Sequence, residues 1–99
     1  MNDNGGGIDA RLAAIGRALS CDVRLAVLRI LAGGDASVSE LTDRTGVTQP
    51  NMSNHLAVLR TAGLVTGLRE GRVIRYRLAS REAADLVRSL LVVAEANPS

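Results

Sequence analysis

The chain has 99 residues, 46% of them hydrophobic and 22% charged, with a net charge of +2. Those proportions suit one soluble globular domain and exclude both a disordered tail and a two-domain chain. No apolar run reaches the ~18 residues that a membrane-spanning helix needs, and no charged-then-apolar leader opens the sequence, so the expected compartment is the cytoplasm.

A single cysteine, Cys21, and a single histidine, His55, rule out an intrachain disulfide, a multi-thiolate metal site and a histidine cluster within one chain. Tyr76 is the only aromatic residue, so the core has to be aliphatic.

Residues 1–7 are polar and glycine-rich after Met1 and read as a disordered arm. A domain over residues 8–96 follows. Ile8, Leu12, Ile15 and Leu19 fall at helical spacing, which predicts a first helix ending near Ser20. Asp22 is the expected N-cap of a second helix carrying Val23, Val27, Leu28 and Leu31 and stopped by Gly33-Gly34. Ser37-Val38-Ser39-Glu40 has the S-x-x-E form of a capping box and opens a short third helix that ends at Gly46, with Val38 and Leu41 inward. Thr48 is the expected cap of a fourth helix, with Pro50 in its first turn, a buried stripe of Met52, Leu56 and Leu59, and an end at Gly63. Two helices joined by the short turn Gly46-Val47-Thr48 make a helix-turn-helix.

The hydrophobic period then shortens to two. Leu64–Leu68 and Arg72–Leu78 around Glu70-Gly71 read as a two-stranded hairpin, with Ile74, Tyr76 and Leu78 on one face and Arg75 and Arg77 on the other. Ser80 caps a fifth helix over about Arg81 to Ala96. The predicted fold is mainly α with a small β-hairpin: a winged helix-turn-helix of five helices plus a two-stranded wing.

All twelve basic residues are arginine, and they are unevenly placed. Residues 1–47 carry a net −1, residues 48–77 a net +4 and residues 78–99 a net −1. Arginine's planar fork suits bidentate phosphate binding. On the fourth helix, advancing ~100° per residue from Met52 puts Ser53, Asn54, Ala57 and Thr61 away from the core, with Gln49 and Asn51 at the N-terminal end. A small, neutral, polar face of this kind suits a major groove, where Gln and Asn pair with adenine edges. Gln49, Asn51, Ser53 and Asn54 are therefore the expected base readers. Thr48, His55, Arg60, Arg69, Arg72, Arg75 and Arg77 are the expected contacts to the DNA backbone. His55, beside the buried stripe, reads as packed or phosphate-contacting rather than as a ligand. Cys21 reads as a small packed hydrophobe.

The fifth helix is apolar around most of its circumference, more than one small domain can bury against itself. A homodimer is the economical solution. Ile8, Leu12 and Ile15 of the first helix and Leu86, Val87, Leu90, Leu91 and Ala94 of the fifth are its expected interface. An enzyme is not expected, because no acid pair, nucleophile–base pair or phosphate-cradling glycine loop is visible.

Asp22-Val-Arg-Leu, Ser39-Glu-Leu, Thr48-Gln-Pro-Asn-Met-Ser-Asn-His-Leu, Leu59-Arg-Thr-Ala-Gly-Leu-Val and Glu70-Gly-Arg-Val-Ile-Arg-Tyr-Arg-Leu together resemble the ArsR/SmtB family of dimeric winged-helix repressors, over roughly residues 8–95. The resemblance implies a dimer through the terminal helices, an imperfect inverted-repeat operator and release by an inducer. The family's inducer sites do not carry over. Ser37-Val38-Ser39 stands where its thiol sensors have Cys-x-Cys. Val58 and Ala62 stand where others have cysteines in the fourth helix. The last helix has Asp85, then Val87, and no histidine. No cofactor is expected. The alternatives are a divalent metal at an atypical site across the dimer, held by His55, carboxylates or the amino terminus, and control by a regulatory partner protein. A winged-helix module that binds protein and not DNA is the reading from another class.

Overall fold

The computed structural model describes residues 3–97. Five helices and three strands follow in chain order: α1 (Asp3–Leu19), α2 (Asp22–Ala32), β1 (Ala36–Ser37), α3 (Val38–Thr45), α4 (Gln49–Thr61), β2 (Val65–Glu70), β3 (Val73–Leu78) and α5 (Arg81–Ala96). The predicted helix-turn-helix and hairpin are both present.

Most helix ends follow from local chemistry. The Ser37 hydroxyl accepts from the Glu40 N–H at 3.1 Å, while the Glu40 carboxylate accepts from the Ser37 N–H at 2.7 Å, so the capping box of α3 is closed. At the end of α4, Gly63 takes φ +80, a conformation that costs glycine nothing. The Gly63 and Leu64 N–H groups then reach back to the Arg60 and Leu59 carbonyls, both at 2.9 Å, in a Schellman motif that buries Leu64. Ser80 caps α5 by accepting from the Ala83 N–H at 3.0 Å.

Four local expectations need correction. Cys21, and not Asp22, is the N-cap of α2, and Asp22 lies in the first turn, where its carboxylate meets the positive end of the helix dipole. Thr48 occupies the N-cap of α4 but its side chain makes no capping bond. Pro50, two residues on, lacks one of the two N–H groups that such a cap could use. The expected arm over residues 1–7 is helical from Asp3, with Met1 and Asn2 outside the described residues. Extending a formed helix fixes one residue per hydrogen bond, so glycines about 1 kcal/mol worse than alanine can still be carried at its end. The first hairpin strand runs two residues further toward the tip, to Glu70, and the second starts one residue later, at Val73, around a two-residue turn at Gly71-Arg72 with positive φ at Gly71 alone, the II′ pattern that matches strand twist.

The wing is also wider than a hairpin. Ala36–Ser37 adds a third antiparallel strand, giving the order β1-β3-β2. Ala36 lies opposite Tyr76 and Ser37 opposite Arg75. The strand preceding α3 is thereby tied to the wing.

Helix α2 is the hub, in contact with α1, α3, α4, α5 and β3. Val27, Leu28, Ile30 and Leu31 of α2 meet Leu41 of α3, Met52, Leu56 and Leu59 of α4, Val65 and Tyr76 of the sheet, and Ala83 and Val87 of α5. Each large aliphatic side chain buried there contributes about 1.5–3 kcal/mol. Among the described residues no helix is long and apolar enough to cross a membrane.

Candidate nucleic-acid interface

Burial of Met52, Leu56 and Leu59 fixes the inward side of α4 and leaves Gln49, Asn51, Ser53 and Asn54 exposed. All four expected base readers are therefore uncharged, hydrogen-bonding and open to solvent, Gln49 and Asn51 in the first turn and Ser53 and Asn54 in the next. The turn from α3 is set by Gly46, which caps α3 in the left-handed region at φ 74. With no side-chain cap on α4, its first-turn N–H groups and the exposed Thr48 hydroxyl form a site suited to phosphate.

A cleft of about 280 Å³ separates the start of the helix-turn-helix from the wing, lined by Ser39 and Thr42 of α3, Gln49 of α4, and Arg72 and Val73 of the wing. Ser39 and Thr42 were not among the sequence candidates. Each follows an inward residue, Val38 or Leu41, by one position, and that helical offset was the available signal.

The arginines divide. Arg60, Arg69 and Arg72 are exposed and make no ion pair among the described residues. Arg75 Nη2 donates to the Asp35 carbonyl at 3.3 Å and stands 3.6 Å from Glu40 Oε1. Arg77 Nη2 stands 3.5 Å from Asp35 Oδ2. The Glu40 carboxyl is held below its ordinary value. The hydrogen bond from the Ser37 N–H is the main cause and the Ser37 side chain adds to it; desolvation opposes them, and Arg75 and Arg44 contribute less than either by charge.

His55 is half-buried on the flank of α4. Arg24 Nη1 lies 3.2 Å from His55 Nδ1. A guanidinium only donates, so Nδ1 is the accepting side of this contact. Arg24 also donates to the Ala18 carbonyl through Nε at 2.9 Å and to the Arg17 carbonyl through Nη2 at 3.0 Å. One guanidinium thus joins the end of α1, the start of α2 and the middle of α4. Cys21 Sγ lies 4.0 Å from the same His55 nitrogen, in a packed, half-buried position. His55 is engaged with the fold itself and stands apart from the exposed polar face.

A second surface is apolar. Ile8, Leu12, Val92 and Val93 are 46%, 58%, 59% and 59% exposed. Leu90, Leu91 and Ala94 line a groove of about 470 Å³ between α2 and α5, together with Leu25 and Leu28. Ile15, Leu86 and Leu91 are half-buried against the core. Val87, expected at a dimer interface, is 2% exposed and packs in the protomer's own core. The apolar pattern of α5 runs almost all round, so period alone did not single out the inward residue. Val92 and Val93 were missed for the same reason. No group of three or more His, Cys, Asp or Glu residues suited to a metal ion occurs among the described residues.

The model of the arsR family of bacterial regulatory proteins matches residues 21–66, from the N-cap of α2 to the start of β2. The chain is 45% identical over 71 residues to the HTH-type transcriptional repressor SmtB of Mycobacterium tuberculosis, covering 72% of this chain and 53% of that protein. It is 39% identical over 89 residues to the HTH-type transcriptional regulator CmtR of Mycobacterium bovis, covering 86% of this chain and 75% of the relative. The chain thus spans about half the length of the first relative and three quarters of the second. Among solved structures, a homodimeric winged helix-turn-helix DNA-binding domain from Mycobacterium bovis superposes with a TM-score of 0.90 at 33% identity, covering 96% of this chain and 88% of the other.

Proposed function

The chain belongs to the ArsR family of bacterial regulatory proteins, and from that premise we propose that it is a sequence-specific DNA-binding transcriptional repressor, acting in the cytoplasm as a homodimer on an inverted-repeat operator. The observation that carries this reading is the exposed, uncharged hydrogen-bonding residues of α4 together with the exposed guanidinium groups of Arg60, Arg69 and Arg72, which make no ion pair among the described residues. Gln49, Asn51, Ser53 and Asn54 read base edges in the major groove. Thr48, the start of α4 and these three arginines hold phosphates and set the register. The exposed apolar residues of α1 and α5 bury one another across a two-fold axis. Two observations support the dimer: the homodimeric state of the similar Mycobacterium bovis domain, and an apolar surface on the terminal helices that the protomer does not cover.

Fluorescence anisotropy with a duplex from upstream of its own gene tests the reading. Nanomolar-range binding is expected, weakening steeply with salt. Asn54→Ala is expected to narrow the preference for that duplex over a scrambled one by a free energy of about 1–3 kcal/mol. Equal affinity of the unaltered protein for both duplexes would remove sequence-specific recognition.

A further inference from the structure

The four wing arginines, alike in the sequence, occupy two different chemical settings. Sheet register puts Arg75 and Arg77 on one face with Thr66 and Leu68, and Arg69 on the other face with Gly67, Ile74 and Tyr76. Arg72 is in the turn at the tip. Because β3 is the central strand, Arg75 lies between Ser37 of β1 and Leu68 of β2. Its guanidinium meets the Asp35 carbonyl at 3.3 Å and Glu40 Oε1 at 3.6 Å. That same Glu40 oxygen accepts the Ser37 N–H at 2.7 Å. One carboxylate therefore closes the capping box of α3 and faces the central strand of the wing.

Charge arithmetic gives this arrangement a consequence. Arg75 and Arg77 with Glu40 and Asp35 form a set of zero net charge. Counterion release on binding DNA follows the phosphates that a protein neutralises. Moving Arg75 to a phosphate would leave a carboxylate facing the duplex, so the exchange brings little net neutralisation. Arg69 and Arg72 have no acidic partner among the described residues to give up.

We infer that Arg75 and Glu40 are positioning residues that fix the wing against the start of the helix-turn-helix, and that the wing's phosphate neutralisation falls to Arg69 and Arg72. This rests on the DNA-binding reading above and deepens it. It removes Arg75 and Arg77 from the expected phosphate contacts.

The test is an anisotropy titration of the full chain and its variants on a mixed-sequence duplex, repeated from about 50 to about 200 mM salt. Arg72→Ala is expected to reduce the log–log salt slope by roughly 0.9. Arg75→Ala is expected to weaken binding a few-fold with a slope change well below that of Arg72→Ala, and to cost less in the Arg72→Ala background than it does alone. Glu40→Gln keeps a capping acceptor and removes a negative charge, yet is expected to weaken binding as Arg75→Ala does. Arg75→Lys, which keeps the charge without the fork, behaves like Arg75→Ala. A slope reduction by Arg75→Ala equal to that of Arg72→Ala, full rescue by Arg75→Lys, or tighter binding by Glu40→Gln overturns the inference. A salt-independent affinity of the unaltered protein overturns the DNA-binding reading as well, and that arm alone separates the two failures.

Discussion

Gly67 lies across the hairpin from Tyr76 so closely that a Cβ at position 67 would fall 3.0 Å from the ring's Cε2 and Cζ atoms and 3.4 Å from Ile74 Cγ2. Tyr76 is the one aromatic residue of the chain and is 7% exposed. A strand glycine that admits an aromatic ring across a pair is a packing device, and the missing side chain is part of the fit. Gly67→Ala is expected to displace the ring and destabilise the fold by about 1–3 kcal/mol. Thermal melting by far-ultraviolet circular dichroism checks it, with a fall of roughly 4–8 °C per kcal/mol. An unchanged melting temperature would show that the ring shifts without cost.

The Arg24 guanidinium closes the end of α1 and reaches Nδ1 of His55 on α4. Arg24→Ala leaves the Ala18 and Arg17 carbonyls and the His55 ring without this donor, at an expected cost of about 1–2 kcal/mol. Arg24→Lys offers a point charge in place of a fork and is expected to recover only part of that. Urea unfolding curves at one protein concentration give both values. Full recovery by lysine would mean that charge alone matters here.

Acid should act through Glu40. Its folded carboxyl is held below the ordinary value of 4.5, chiefly by the Ser37 N–H. A depressed carboxylate stabilises the fold above its unfolded pKa, and that contribution is lost as pH falls through the folded pKa. Stability is therefore expected to drop below about pH 4.5, and Glu40→Gln to flatten that part of the curve. The acid limb of urea midpoints from pH 3 to pH 6, roughly the carboxylate range, checks it. An identical limb in the variant would place the acid sensitivity elsewhere.

The terminal helices carry the assembly prediction. Leu12→Ser and Val93→Ser replace apolar groups that are 58% and 59% exposed in the protomer, so they are expected to leave the helix content intact while dissociating the dimer. Sedimentation equilibrium reads the mass directly. By contrast, Leu28→Ala, at a position 1% exposed, is expected to cost about 2–5 kcal/mol of protomer stability. Variants of Leu12 and Val93 that sediment as the unaltered protein does would move the interface away from these helices.

Legibility in the sequence tracked locality. The capping box Ser37–Glu40, the stop at Gly63 and the stripe Met52, Leu56 and Leu59 are signals contained within a turn or two, and each was readable. The exposed face of α4 followed from the same periodicity. Strand β1 did not, because two residues carry no period and its existence depends on pairing Ala36 with Tyr76 far along the chain. The partners of Arg75 and Arg77 lie 35 or more residues away in Glu40 and Asp35, so a count of charges saw four equivalent wing arginines where the fold makes two kinds. Helix α5 failed differently: with apolar residues on nearly every side, the inward Val87 and the outward Val92 and Val93 look alike until α2 is packed against them.

The most direct measurement is a chemical-protection footprint of the protein on the duplex upstream of its own gene. The account predicts two protected major-groove windows, centred about 34 Å or one helical turn apart or a multiple of it, and related by a two-fold axis. Asn54→Ala should weaken both windows together. A single unpaired window, protection confined to the minor groove, or no protection at concentrations where anisotropy reports binding would contradict a dimer that reads DNA through α4.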